Sequence, residues 1–435
     1  MTKYQSYTIN TIHKIPQVQQ YLSEAQQFKL KVVAHVLPFK VNNYVIDQLI
    51  DWSKVPNDPI YQLTFPQEEM LSEADFEKMA IVLQQSPKDK VLIQAVANDI
   101  RNRLNPHPAG QKEHNIPLFE GEKLSGIQHK YRETLLFFPN HGQTCHAYCT
   151  FCFRWPQFVG MEGMKFASKE IEVLLKYLQQ HPLVSDVLFT GGDPMIMSAL
   201  KLRYYIEPLL DSGLPQVQNI RIGSKVLGFW PYKFLSDSDA LDTLALFKSV
   251  TDSGKHLAFM AHFSHPKELE TEAAQAAIAK VRSTGAEIRS QSPIMRGVND
   301  DVDTWAKMWT LQVKLGCIPY YMFIARDTGA QDYFAVPLVE ALEIFQAAYR
   351  KVSGIARSVR GPVMSTFYGK IMVMGCPIIN GQKVMALQFL QGRNPEWAGE
   401  IFFAIYDPEA IWLDELRPAF GAAHFFFEQH EPSFL

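Results

Sequence analysis

Cys145, Cys149 and Cys152 share one short loop in the spacing CxxxCxxC. Thiolates at such spacing ligate metal. In an iron–sulfur cubane, three protein thiolates take three of the four iron corners and leave one iron open for substrate chemistry. A zinc site completed by His141 or His146 is the competing reading, and buried free thiols are the third. The chain holds 5 cysteines. An odd count crowded into one loop points to metal or redox chemistry rather than a disulfide framework. Cys317 and Cys376 stand apart and read as core.

A loop that presents ligands needs elements behind it. TLLFFPNH (134–141) reads as a buried strand leading into the cysteines. Strand and helix then alternate: SKEIEVLLKYLQQH (168–181) and DVLFTGG (186–192), LKLRYYIEPLLDSG (200–213) and QNIRIGS (218–224). DALDTLALFKSVTDSG (239–254) precedes HLAFMAHF (256–263), and KELETEAAQAAIAKVRSTG (267–285) precedes EIRSQSPIM (287–295). DVDTWAKMWTLQVKLG (301–316), IPYYMFIA (318–325) and PLVEALEIFQAAYRKVSG (337–354) complete the series. Short apolar runs between amphipathic segments mark βαβ units and a parallel sheet. The beat predicts an α/β fold built on a partial (β/α)6, TIM-like barrel over 126–354. A mainly helical region precedes it (1–125), where Ser72 caps SEADFEKMAIVLQQ. A C-terminal extension follows (355–435), with GQKVMALQFLQG (381–392) as a strand pair or hairpin and an aromatic tail packed on the body.

In a parallel barrel the site lies at the C-terminal strand ends. All six ends here carry polar or ligand-type groups. They are His141 with the cysteines; Gly191, Gly192 and Asp193; Ser224 and Lys225; His262, Ser264 and His265; Gln291, Ser292 and Arg296; and Arg326 with Asp327. This convergence predicts an enzyme.

The formal net charge of −3 over 435 residues offers no bulk basic field for nucleic acid. No stretch reaches the roughly 18 apolar residues of a membrane helix. The opening MTKYQSYTINTIHK lacks the apolar core of a secretory signal. The expectation is a cytoplasmic protein without nucleic acid or membrane as partner.

The cysteine loop and the strand beat together resemble the radical S-adenosylmethionine (SAM) superfamily. The likeness extends to lysine 2,3-aminomutase and its relatives, over roughly 55–375. It is carried by HKYRETLLFFPNHGQTCHAYCTFCFR (129–154), FTGGDP (189–194), IRIGSK (220–225), HFSHP (262–266), QSPIMRGVNDD (291–301) and IPYYMF (318–323), in family order. The resemblance implies a 4Fe-4S cluster on Cys145, Cys149 and Cys152, with SAM chelating the open iron. One electron then yields methionine and a 5′-deoxyadenosyl radical. It implies SAM contacts at Gly191, Gly192, Asp193, Ser224, His262, Gln291 and Ser292, and an external electron donor of the flavodoxin or ferredoxin type.

Departures from the family pattern narrow the expectation. The relatives also use pyridoxal phosphate (PLP), held by a lysine at the end of a glycine-rich run. Here MSTFYGKIMV (364–373) keeps Thr366-Phe367 and Gly369-Lys370-Ile371 but lacks the run and its aspartate. Thr134 stands where a phosphate-binding arginine is expected, with Lys130 still basic. Only Arg154 remains of an arginine run, at a position that would meet a substrate carboxylate, with Phe153 and Trp155 as candidate walls. Arg326, beside Asp327, replaces the aspartate for a substrate amine, which argues against a diamine.

The sequence therefore predicts a radical SAM enzyme that takes hydrogen from a small carboxylate-bearing substrate without PLP. An isomerase outcome and a homo-oligomer both stay open. Two alternatives stand beside it. One is a PLP-dependent amino-acid 2,3-aminomutase with Lys370 as Schiff-base lysine. The other is a non-catalytic iron–sulfur or electron-transfer protein.

Overall fold

A computed structural model describes residues 3–110, 114–161, 163–164 and 166–429. Two short antiparallel pairs lie outside the main sheet: β1 (Ser6–Thr8) with β2 (Lys40–Asn42), and β3 (Leu118–Phe119) with β4 (Glu122–Lys123). The main sheet begins with an antiparallel hairpin of β5 (Ile127–Tyr131) and β6 (Thr134–Phe137). From β6 onward the strands run parallel in sequence order: β7 (Asp186–Phe189), β8 (Asn219–Ser224), β9 (His256–His262), β10 (Glu287–Ile294), β11 (Ile318–Ile324) and β12 (Arg360–Ser365). Then β13 (Gly369–Gly375) turns back on β12 and pairs with β15 (Gln382–Gly392), whose other partners are β14 (Ile378–Ile379) and β16 (Ile401–Ile405).

Each crossover between parallel strands carries a helix, as parallel pairing requires. The helices Ala199–Asp211, Glu272–Ser283 and Val302–Lys314 start on side-chain caps, from Ser198, Thr271 and Asp301. Their apolar faces cover strands whose own side chains are buried, such as Leu257, Phe259 and Ala261 of β9. Ser72 caps Glu73–Gln85 as expected, accepting from the Asp75 amide.

The α/β alternation and the parallel sheet agree with the sequence. The differences are local. The sequence predicts six parallel strands, and β12 is a seventh, hidden because Gly361 and Pro362 interrupt its apolar run. The segment 267–285 is two helices, Lys267–Glu270 and Glu272–Ser283, since Thr271 is extended and caps the second. The expected strand pair at 381–392 is one long strand, β15. The aromatic tail packs on the body up to Gln429: Phe427 is buried against Tyr368, Phe389 and Phe402. The end of the expected tail, 430–435, lies outside the described residues. Among the described residues no helix is long and apolar enough to cross a membrane.

Candidate functional site

One cavity of about 380 Å³ opens at the C-terminal ends of the parallel strands. It gathers Cys145, Cys149, Cys152, Arg154, Gly191, Gly192, Asp193, Ser224, His262, Gln291, Arg326 and Lys370. Ser292 and Asp327 are not among its lining. Pleating turns Ser292 to the opposite face of β10, where it meets Trp305 and Trp309. Asp327 accepts from Asn105 Nδ2 at 3.3 Å and stands 3.4 Å from Arg326 Nε.

The cysteine loop leaves β6 through a short turn at Asn140–Gly142. All three thiols are free. Burial pushes each above the usual thiol range; for Cys145 and Cys149 the neighbouring sulfurs and Asp193 add to it. Metal binding would therefore displace protons from these groups. His141 is exposed and hydrogen-bonds Tyr205 Oη at 2.9 Å. His146 faces the cavity, edge-on to Tyr4, and burial holds its pKa at about 3.

The first sixty-odd residues hold this loop from outside. Lys40 Nζ donates to the Cys145 carbonyl at 2.7 Å and to Thr144 Oγ1 at 3.4 Å. Tyr4 Oη and Asn42 Nδ2 both donate to the His146 carbonyl, at 2.8 and 3.2 Å. The Tyr148 amide donates to Lys40 O at 2.7 Å and the Thr150 amide to Leu63 O at 3.0 Å. Sequence reasoning passed over Lys40, because no motif surrounds it.

The glycine turn after β7 packs against the same loop. A Cβ on Gly192 would lie 2.6 Å from both the amide nitrogen and the carbonyl oxygen of Thr144. Only glycine fits there. Asp193 is buried and already engaged. Its Oδ1 accepts from Ser224 Oγ at 2.7 Å and the Met195 amide at 2.9 Å, and its Oδ2 from the Lys225 amide at 3.0 Å. A carboxylate has about four acceptor positions, so one remains. Burial raises its pKa against these three hydrogen bonds.

His262 stacks on Phe151 with ring centroids 5.6 Å apart. Burial and the Lys225 ammonium keep the imidazole neutral, its pKa well below the usual range. Lys225 itself is paired with the fully buried Glu268 at 2.7 Å.

The far half of the cavity is cationic. Arg154 lies 4.4 Å over Phe138 and 5.0 Å over Phe153, and among the described residues no carboxylate or carbonyl takes its guanidinium protons. Burial lowers its pKa to about 10, so it stays charged at neutral pH. Arg326 lies 5.2 Å over Phe153, its nearest carboxylate contact 3.4 Å away at Asp327, and its Nη2 is buried without a partner. Lys130 donates to the Thr366 carbonyl, and burial with three neighbouring cations holds it well below the usual lysine range.

Lys370 is the second residue of β13 and donates to Gln391 Oε1 of β15 at 2.5 Å. Burial, Arg221 and Arg360 lower its pKa to about 7. The shortened loop is a tight turn, in which the Thr366 amide donates to the Gly369 carbonyl at 2.8 Å. A Cβ on Gly369 would stand 2.1 Å from Gln391 O. Lys370 is therefore borne by a strand rather than a loop. Trp155, expected as a wall, is instead buried with its indole donating to Thr328 Oγ1 at 2.9 Å, while Phe153 does line the cavity. Cys317 and Cys376 lie away from it.

No family model matches the chain. A putative L-lysine 2,3-aminomutase of Aquifex aeolicus is 30% identical over 394 residues, which covers 91% of this chain and 91% of that protein. The chain belongs to the radical SAM, lysine 2,3-aminomutase-like family. The L-lysine 2,3-aminomutase of Acetoanaerobium sticklandii is 28% identical over 279 residues, 63% of this chain and 62% of that protein. Among solved structures, Streptococcus suis SuiB bound to S-adenosylmethionine covers 63% of this chain and 56% of its own at 12% identity and a TM-score of 0.35. That likeness is too remote to carry the fold.

The family implies a cluster, SAM and PLP, and the residues fit them unequally. Among the described residues no three His, Cys, Asp or Glu side chains gather closely enough for a single ion. Zinc draws all its ligands to one centre, whereas a cubane spreads its thiolates over separate irons. Three thiols on one cavity wall, none of them bridged, suit the cubane. For SAM, the Gly191–Asp193 turn suits a small polar group beside the thiols, with one Asp193 acceptor position left over. For PLP, Lys370 suits the amine. The phosphate side is poorer: Lys130 is tied to Thr366, and Thr134 lines the cavity in place of an arginine.

Proposed function

We propose that this protein is a radical SAM enzyme that binds a small anionic substrate between Arg154 and Arg326 and abstracts hydrogen from it without PLP. The observation that carries this reading is the pair of buried guanidiniums without a full protein counter-charge, in the same cavity as the three cysteines. Buried charge in an apolar site is stable only when paired. An incoming carboxylate would satisfy both groups with charge-assisted hydrogen bonds. When bound, the cluster and SAM supply a 5′-deoxyadenosyl radical. The chain's own groups orient the substrate: the guanidiniums fix its anionic end, Phe153 packs between them, and the apolar wall excludes water.

A second reading keeps PLP, with Lys370 as its amine. It is favoured by a lysine that burial holds near neutrality inside the cavity, the condition a nucleophilic amine needs.

Anaerobic reconstitution with iron and sulfide, addition of SAM, reduction by dithionite and chromatography for 5′-deoxyadenosine test the first reading. The wild-type protein should form it and a Cys149→Ala protein should not. An intact cluster that yields none would leave an electron-transfer protein. A strong pyridoxal absorbance that Lys370→Ala abolishes would move the conclusion to the second reading.

The same proposal takes the sheet as a partial (β/α)6 barrel between an N-terminal region and a C-terminal extension. It takes a flavodoxin- or ferredoxin-type donor as the source of the electron. An isomerase outcome, a cytoplasmic setting and a homo-oligomeric assembly belong to it as well.

A further inference from the structure

Lys40 is a cation without an anion. It sits at the start of β2, half-buried, and among the described residues it makes no ion pair with Asp or Glu. Its three neighbours all belong to the cysteine loop: the Cys145 carbonyl at 2.7 Å, Thr144 Oγ1 at 3.4 Å, and the Tyr148 ring with its centroid at 5.8 Å. Tyr148 closes the arrangement, since its hydroxyl meets Thr144 Oγ1 at 3.0 Å and its amide donates to Lys40 O at 2.7 Å. Burying an ammonium this way is unfavourable unless a negative charge stands close. Between Asn140 and Arg154 the loop has no Asp or Glu, so a bound cluster is the negative charge it would bring near Lys40.

We infer that Lys40 is a positioning and charge-tuning residue for the iron–sulfur site: it holds the Cys145 end of the loop and biases the cluster toward its reduced form. Reduction adds a negative charge to the cluster. A fixed positive charge nearby favours that state, and charge and hydrogen bonding around the ligands are among the levers that set cluster potential. The N-terminal region thereby acts on the redox step while contributing no ligand. The inference rests on the cluster reading above.

The test uses the full chain, reconstituted anaerobically, as wild type, Lys40→Gln, Lys40→Met and Lys40→Arg. Iron content and an electron-paramagnetic-resonance redox titration are the readouts. Lys40→Gln keeps a donor to the Cys145 carbonyl but removes the charge. It should hold the wild-type amount of iron with a midpoint shifted to more negative potential. Lys40→Arg should return the midpoint toward the wild-type value, and Lys40→Met should also lose iron faster on gel filtration. A Lys40→Gln cluster that titrates at the wild-type potential overturns the inference. So does loss of iron in Lys40→Arg as well as in the neutral variants, because shape rather than charge would then be at work. Loss confined to Lys40→Met, with iron retained in Lys40→Gln and Lys40→Arg, supports it. A wild-type chain that takes up no iron at all would instead fail the cluster reading.

Discussion

Arg154 and Arg326 share one phenyl ring: their guanidinium carbons lie 5.0 and 5.2 Å from the centroid of Phe153. Burial lowers the pKa of each guanidinium, and the charge of Arg326 lowers that of Arg154 further. Two like charges held on one ring form a site that is strained until an anion enters. Removing one of them should therefore stabilise the empty protein. We expect Arg154→Met to raise the stability by about 1–2 kcal/mol, the scale seen when even a paired buried charge is replaced by apolar groups. A urea titration of the metal-free protein checks this, and a lowered midpoint would count against an unpaired charge.

Lys370 gives a pH prediction. Its pKa of about 7 means the amine is mostly neutral above that value and protonated below it. Trapping with pyridoxal phosphate and cyanoborohydride, followed by mass spectrometry, should label Lys370 increasingly as pH rises through 7 and then level off. An ordinary lysine would still be gaining reactivity beyond pH 9, roughly in step with its usual pKa near 10.4. A profile of that ordinary form would contradict the burial argument.

Gly192→Ala tests the seam between the glycine turn and the cysteine loop. Its Cβ would lie 2.6 Å from the Thr144 backbone, so either segment must move. A cost of about 1–3 kcal/mol is expected for forced overpacking, together with reduced iron uptake after reconstitution. Gly375→Ala is the control, because nothing lies within 4 Å of a Cβ there. Equal behaviour of the two variants would mean that the seam does not hold the loop.

Asp193 and Ser292 should separate sharply. Asp193→Ala strands Ser224 Oγ and the amides of Met195 and Lys225, and we expect a loss of about 3 kcal/mol, the scale of a buried charged acceptor. Among the described residues, Ser292→Ala removes a hydroxyl that reaches only the neighbouring Pro293 carbonyl, at 3.2 Å. It should leave 5′-deoxyadenosine formation unchanged. A large loss of that product in Ser292→Ala would restore Ser292 to the site.

Much of this was legible in the sequence where a local pattern carries the information. The six strand ends could be found because period and glycine punctuation mark βα junctions, and Cys145, Asp193, His262 and Gln291 followed from that placement. Ser292 lies off the cavity wall because adjacent strand residues face opposite sides, and sequence adjacency does not show which side is the cavity. Lys40 was invisible for a different reason: its partners lie more than a hundred residues away, at Thr144 and Cys145. The seventh strand was lost because a short run broken by Gly361 and Pro362 looks like a loop until β11 and β13 supply its neighbours.

The tight turn from Thr366 to Gly369 has a consequence for how this cavity can change over generations. Because Lys370 projects from a hydrogen-bonded strand, its side is decided by parity. A slip of one residue against β15 would send the amine to the opposite face of the sheet. Close contact between Gly369 and Gln391 resists such a slip. The turn can lengthen without losing the amine only where the extra residues stay outside the paired strand, so the register of β13 and the presence of the lysine in the cavity are inherited together.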